Sequence, residues 1–379
     1  SLPRPGSDEQ LRALAGRIVS TKLDRAKPLW ELWIVEGLSP DRWAIIAKIH
    51  HCMIDGLSGV DLTTILLNVV PSSDIEDEPE WVPLPAPTPT QLAVAEAARL
   101  TRRMIDRLTD VGDMVRDGKQ ITDRVLDRSV AAINSLRSGW LTTSAETPLN
   151  PEIGPNRRFN WTDMDLGEVK KVKDTLGGSV NDVVLATTAG AVRHFLIEQR
   201  DFEPGDAEFR AMNPVSTRSP GQRGQMGNQV AMWLIDLPIG ESDPAARYEA
   251  IKHSTAHLKK TKQALGAATL VELSSGTPLT LLSLASRLAG PRIRPFNMTV
   301  TNIPGPQFPM YLLESQMLAN YPMVPLWAQH GVGVALFSYN GRLLWGVQAD
   351  YDTLPDSDEF VTALHHSFGE LRSLAESAA

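Results

Sequence analysis

The sequence holds one cysteine, Cys52, among 379 residues, which rules out an intramolecular disulfide and any zinc site built on paired cysteines. That usage fits a reducing, cytoplasmic setting. Long apolar runs are also missing. The richest stretch, Leu279 to Leu288, is interrupted by Thr280, Ser283, Ser286 and Arg287, short of the roughly 18 uninterrupted residues of a membrane span. Positive charge is scarce: 37 Lys and Arg face 45 Asp and Glu, for a net charge of -8 with no basic run. The attraction that dominates phosphate-backbone binding is therefore lacking, and nucleic acid is not an expected partner. No Gly-x-Ser-x-Gly elbow occurs, which disfavours a serine hydrolase. Gly112 to Lys119 misses the phosphate-loop spacing by one residue, and His253 and His257 lack the glutamate of a metalloprotease helix. The opening Ser1-Leu2-Pro3-Arg4-Pro5-Gly6 has neither a signal-peptide core nor a methionine, so it is not read as a targeting segment and a truncated chain is expected.

What is present is ordinary globular usage, 42% hydrophobic and 22% charged residues, in a chain long enough for two domains. Leu11 to Leu23 predicts an amphipathic helix capped by Ser7 or Asp8. Glu31 to Val35 and Trp43 to Ile49 predict strands around the turn Gly37 to Asp41. The second strand runs into His50-His51, then a corner, then an apolar helix from about Gly56 to Val70. Pro79, Pro83, Pro85, Pro87 and Pro89 stiffen a linker, and Thr90 to about Leu136 reads as a helical crossover. A second α/β segment starts near Arg157. Its expected parts are a helix opened by Ser179 and running to about Gln199, a strand at Val230 to Leu237, and a basic-ended helix at Asp243 to Gln263. A strand at Asn297 to Asn302 follows. A hairpin then joins Gly331–Ser338 to Leu343–Ala349 through Asn340-Gly341, which suits a type I′ turn. The segments are thus 1–70, 71–156 and 157–379.

The chemistry concentrates in Ile49-His50-His51-Cys52-Met53-Ile54-Asp55-Gly56, where two imidazoles and a carboxylate meet at the junction of strand and helix. Successive strand residues face opposite sides, so the two histidines have different surroundings. From the residues alone three readings stay open: a pair of half-buried histidines, three of the ligands of a metal site, or a base facing a substrate. A Cys52–His51 dyad is geometrically poor because adjacent side chains diverge, which leaves Cys52 as a small buried residue.

His50-His51-x-x-x-Asp55-Gly56 resembles the HHxxxDG signature of the chloramphenicol-acetyltransferase-like superfamily. Three further features in the same order resemble the bacterial wax ester synthase/acyl-CoA:diacylglycerol acyltransferase family: Pro28-Leu29-Trp30, Asn181-Asp182, and Asn302-Ile303-Pro304-Gly305-Pro306. The resemblance implies two α/β domains, each a mixed β-sheet flanked by helices, with a tunnel between them, the first domain being short at its N-terminus here. It implies transfer of a fatty acyl group from acyl-CoA to diacylglycerol or a long-chain fatty alcohol, with no metal or prosthetic group. His51 would be the general base, His50 a neighbour that shapes the site, and Asp55 a structural carboxylate beside Gly56, paired with an arginine for which Arg218 is nominated. Peripheral contact with the inner membrane or a lipid droplet is compatible with this, through apolar segments such as Leu279–Leu288 and Leu318–Trp327.

Each supporting motif also has a purely structural reading. Pro28-Leu29-Trp30 can start a strand and bury an indole. Ser179-x-x-Asp182 is a helix capping pattern. Asn302 can be a turn residue, or can aim its amide with Thr299 or Thr301 at a developing oxyanion. Two competing functions remain: a condensation-domain-like enzyme whose donor rides on a carrier protein, and a catalytically silent lipid-binding protein that keeps the fold.

Overall fold

The computed structural model describes residues 1–50, 53, 66–73, several positions between 82 and 101, 143–216, 230–275 and 294–378, the side chains of 216, 230, 231 and 260–275 apart. Residues 1–72 and 141–379 form one compact unit and 73–140 another. In the second unit Thr88 opens a helical stretch: its N–H donates to Gln91 Oε1 (2.8 Å) and its hydroxyl accepts from the Gln91 N–H (3.3 Å).

The first unit starts with helix α1 (Asp8–Ser20), whose N-terminus is closed by a reciprocal Ser7–Gln10 capping box. Strands β1 (Trp30–Leu38) and β2 (Arg42–Ile49) then pair antiparallel as a hairpin. The helix expected to reach Val70 ends earlier among the described residues, with Leu66 its last helical position. Asn68 instead exchanges both backbone hydrogen bonds with Tyr311, at 2.7 and 2.8 Å. A chain paired in that way cannot remain in a helix.

The body of the unit is a six-stranded mixed sheet in the order β3-β10-β9-β6-β4-β5. Its strands are β3 (Arg157–Asp165), β4 (Phe209–Ser216), β5 (Val230–Leu237), β6 (Met298–Pro304), β9 (Val332–Tyr339) and β10 (Arg342–Asp350). β6 runs parallel to both β4 and β9, and the other pairs are antiparallel. The hairpin turn is as expected: Asn340 and Gly341 have φ of 45° and 81°, the pair of positive angles a type I′ turn needs. β4 is an additional strand, and it carries Pro214 in its interior. The ladder from β4 to β6 stops at Met212, so the missing N–H of Pro214 leaves no gap in it.

Helices α2 (Leu166–Leu176), α3 (Val180–Arg200), α4 (Pro244–Ser275) and α5 (Ser357–Ala378) also belong to the described part of the unit. α3 is buried nearly all round, from Asp182 through Val192 and again at Phe195 and Leu196. It is the central helix of a covered layer rather than an amphipathic surface helix. Val332, Val334 and Leu336 of β9 and Leu343, Trp345 and Val347 of β10 pack in the same core as α3 and α5. α4 outruns its expected end at Gln263 by continuing through Ala264, Ala267 and Ala268, good helix formers, to Ser275. Its lysines Lys259, Lys260 and Lys262 therefore lie within the helix, and its last turn holds no basic residue, contrary to the dipole pairing expected.

The opposite face of the sheet is covered differently. α1 and the β1–β2 hairpin share a cluster with β3, built on Ala15, Ile18, Val35, Ile46 and Phe159. The short strands β7 (Tyr311–Leu312) and β8 (Ser315–Gln316) lie beside a second cluster of Met310, Phe337, Tyr339 and Leu344. Tyr339 ties that segment down, since its hydroxyl donates to the Met317 carbonyl and accepts from the Met310 N–H, both at 2.9 Å. Within Leu318–Trp327, Val324 is buried and Tyr321 and Met323 pack on the α1 cluster; Leu318 is exposed.

Candidate functional site

The histidine corner begins where the β1–β2 ladder ends. Trp30 opposes Ile49 as its first pair, and the His50 N–H donates to the Leu29 carbonyl at 2.9 Å. The His50 carbonyl then accepts from the Met53 N–H, also at 2.9 Å. Two residues before His50, Lys48 fixes the strand: its ammonium donates to the Ile18 carbonyl (3.0 Å), the Thr21 carbonyl and Thr21 Oγ1, all at the C-terminus of α1. A cation there also meets the negative end of the helix. The half-buried His50 is thus held by a strand end clamped at both sides. His51, Cys52, Asp55, Gly56 and Arg218 lie outside the described residues, as does Leu279–Leu288.

Pro28-Leu29-Trp30 does start a strand, but the indole is not buried. Trp30 is 52% exposed, on the hairpin face that also carries Leu32, Ile34 and Ile45 and is turned away from α1. The register explains this. The residues that pack toward α1 are Val35 and Ile46, which lie on the opposite face by alternation.

Asn181-Asp182 opens α3. Asp182 is 3% exposed and its carboxylate accepts from the Ser179 N–H (2.7 Å), the Ser179 hydroxyl (2.7 Å) and the Thr255 hydroxyl of α4 (2.6 Å). A buried carboxylate with three donors is a capping and packing device, because its charge is matched by hydrogen bonds rather than offered to a substrate. Beside it, burial and then the Asp182 charge push the Tyr248 phenol well above the ordinary tyrosine range, so it stays a neutral donor to the Gly177 carbonyl at 2.7 Å. Asn181 accepts from Asn213 Nδ2 of β4 at 3.3 Å. No local spacing announces Thr255 and Asn213, since they reach this point from other elements.

The oxyanion candidates separate on β6. Met298 and Val300 belong to the core beneath α3, so alternation puts Asn302 on that face and Thr299 and Thr301 on the other. Thr299 is buried, with no hydrogen-bond partner for its hydroxyl among the described residues. Because β4 and β6 are parallel with Ala211 opposite Met298, Asn213 and Asn302 share the helix-covered face near the carboxyl ends of the two strands. Gly305 in the following Pro304-Gly305-Pro306 has a steric reason: a Cβ there would lie 2.3 Å from the Phe337 ring and 2.5 Å from the Ser338 carbonyl oxygen.

Two clefts among the described residues border α5. One is lined by Pro244, His366, Glu370 and Ser373 among others, and the second by Asp163, Asp165, Phe368 and Arg372 among others. None of their lining residues belongs to β1, β2 or the His50 corner.

Comparison with known proteins places these features in a family. The wax ester synthase/diacylglycerol acyltransferase catalytic domain matches residues 1–184, and the WS/DGAT C-terminal domain matches residues 226–372. A Mycobacterium tuberculosis protein named as the probable diacylglycerol O-acyltransferase tgs1 is 28% identical over 99% of this chain and 78% of its own length. Another M. tuberculosis protein with a diacylglycerol O-acyltransferase name is 32% identical over 98% of this chain and 80% of its own. Among solved structures, the wax ester synthase/diacylglycerol acyltransferase from Marinobacter aquaeolei superposes with a TM-score of 0.70 at 24% identity, over 99% of this chain and 79% of that one. The starter condensation domain of rhizomide synthetase follows the same fold less closely, with a TM-score of 0.54 at 12% identity over 97% of this chain and 75% of its own.

Proposed function

Since the chain belongs to the wax ester synthase/diacylglycerol acyltransferase family, an O-acyltransferase family, we propose that it moves a fatty acyl group from acyl-CoA to a lipid alcohol, diacylglycerol or a long-chain fatty alcohol. The observation that carries this reading is the His50 corner: HHxxxDG falls inside the matched catalytic domain, at the end of a strand clamped to α1.

In the proposed reaction His51 takes the proton of the acceptor hydroxyl as its oxygen attacks the thioester carbonyl. The new ester bond forms, the carbon–sulfur bond breaks, and the proton returns to the departing CoA thiolate. The neutral imidazole takes the proton and the imidazolium so formed returns it, and an ordinary pKa of about 6.5, near neutral pH, makes both forms accessible. A thioester is already activated, so one base and donors to the oxyanion suffice without a metal or prosthetic group. Asp55 would hold the corner, paired with Arg218. No described helix is long and apolar enough to cross a membrane. Because the acceptors are water-insoluble, the enzyme would work in the cytoplasm and meet them peripherally, at the inner membrane or a lipid droplet.

The test is incubation of the purified full chain with radiolabelled acyl-CoA and each acceptor in turn. Labelled triacylglycerol or wax ester is expected, and which one forms sets the acceptor. Turnover only with an acyl group on a carrier protein would replace this reading with the condensation-type one. Binding of both lipids without product would leave a silent lipid-binding protein.

A further inference from the structure

Away from the histidine corner, α3 and α5 bring three ligand-type side chains to one point. His194 projects from α3, and His366 and Glu370 lie four apart on α5, hence on the same helix face. His194 Nε2 is 3.1 Å from Glu370 Oε1 and 3.1 Å from His366 Nδ1, and the three ligand atoms all lie within 4.8 Å of one another.

One ring nitrogen cannot serve both neighbours. If His194 Nε2 carries a proton it donates to the carboxylate and has no lone pair for His366. If it is unprotonated it accepts from His366 but turns a lone pair toward a carboxylate oxygen. A cation in place of the shared proton resolves the conflict, since all three atoms then present lone pairs to it. The two short separations suit this. Two bonds of roughly 2.0 to 2.1 Å at a tetrahedral angle set ligand atoms about 3.3 to 3.4 Å apart, a few tenths of an ångström from the two short separations seen.

The surroundings are built in the same sense. Glu370 is oriented by its other oxygen: Oε2 accepts from Arg247 Nη2 at 2.5 Å, and Arg247 is itself 1% exposed and donates to the Glu241 carbonyl at 3.0 Å. Such a partner fixes a ligating carboxylate and restrains its rotation. His366 is exposed at the rim of the cleft that Pro244, Glu370 and Ser373 also line, which gives an ion a path from solvent and leaves room for a water as fourth ligand. The neighbouring His365 points elsewhere, with its Nε2 2.6 Å from Thr162 Oγ1.

We infer that His194, His366 and Glu370 form a binding site for a divalent transition-metal ion of the zinc class, with two imidazoles and one carboxylate as ligands. The ion would pin the middle of α5 to α3, and it takes no part in the proposed acyl transfer. Two nitrogens and one oxygen at this geometry favour Zn²⁺ and its neighbours Co²⁺ and Ni²⁺ over Mg²⁺ or Ca²⁺, which call for oxygen ligands.

The experiment is titration of the metal-free full chain with Co²⁺, read by its visible absorption, followed by displacement with Zn²⁺ and melting of each form. The expected result is about one equivalent bound with a four-coordinate spectrum, lost on Zn²⁺ addition, and a higher Tm with Zn²⁺ than without. His366→Ala, at an exposed position, should keep the metal-free Tm while weakening Co²⁺ binding by more than about 100-fold. His365→Ala should bind as the wild type does. Absence of binding at micromolar metal, equal binding by His366→Ala, or a loss produced by His365→Ala alone would each overturn the site.

Discussion

The six-stranded sheet and the β1–β2 hairpin are written in similar residues and end in different environments. β9 and β10 are almost wholly buried, with helices on one face and the cluster beside β7 and β8 on the other. β1 is just as apolar, Trp-Glu-Leu-Trp-Ile-Val, yet Trp30, Leu32 and Ile34 are 52%, 43% and 64% exposed. Near-continuous apolar strands are the mark of sheets covered on both sides, and the hairpin meets that condition on one side alone. The unit's stability therefore resides in the sheet. The proposed chemistry resides at the end of the less covered element, which Lys48 and the cluster of Val35 and Ile46 with Ala15 and Ile18 hold to α1.

That division predicts which changes alter rate and which alter stability. The largest expected effect on rate comes from His51→Ala, which removes the proposed base and little packing. Ester formation should fall about 10²- to 10⁴-fold, equivalent to roughly 3 to 5 kcal/mol of barrier, with the melting temperature unchanged. His50→Ala should cost less activity. Rates and melts on the same preparations decide it, and a matching fall in Tm for His51→Ala would make the corner part of the stabilising core and erase the contrast.

The same contrast can be drawn with one residue type. Trp345 in β10 is 1% exposed and Trp30 in β1 is 52% exposed. Trp345→Ala should destabilise by about 3 to 5 kcal/mol through the cavity it leaves, whereas Trp30→Ala should stay within about 0.5 kcal/mol, as surface changes do. Denaturant unfolding of both variants measures the difference. Equal losses would mean that the hairpin face is covered as well as the sheet.

Much of this architecture is legible in the sequence because it is locally specified. The capping boxes at Ser7 and Ser179, the apolar run of β2 and the Asn340-Gly341 turn each carry their signal within a few residues. β4 is less legible, because it carries Pro214, whose acceptability depends on where the β6 ladder stops. α2 and α5 have amphipathic spacing but lack a run distinctive enough to announce them, and the lysines that suggest an end for α4 are followed by alanines that carry the helix on. The site shows the same limit. HHxxxDG is contiguous and legible as a motif, while His194 meets His366 across 172 residues; only the His366-x-x-x-Glu370 half has a local pattern. The burial of Asp182 likewise depends on Thr255, which no spacing rule connects to it. The split of Asn302 from Thr299 and Thr301 follows from alternation once the strand is assigned, and tells against one shared oxyanion cradle on β6.

A smaller loss than that of Trp345→Ala is expected where α3 is tied to the start of α5. Arg200 donates to both oxygens of Asp356, Nη1 to Oδ2 and Nη2 to Oδ1, each at 2.7 Å, and Nη2 also donates to the Thr353 carbonyl at 3.0 Å. The hydrogen bonds from Arg200 hold the Asp356 carboxyl below its ordinary value, against a smaller opposing contribution from burial. A carboxylate depressed in the folded state binds fewer protons there than in the unfolded chain. Its contribution is therefore fully present above the unfolded pKa of about 3.9, declines as pH falls through the folded value, and is gone below both. With the Asp356 side chain 28% exposed, solvent screening limits the pair to about 1 kcal/mol. Asp356→Asn should accordingly cost about 1 kcal/mol at pH 7, and the two stability curves should converge as pH drops below about 4. Denaturant midpoints of wild type and Asp356→Asn between neutral and acid pH would test this, and a gap that persists or widens on acidification would show that Asp356 acts through packing or its backbone rather than through its charge.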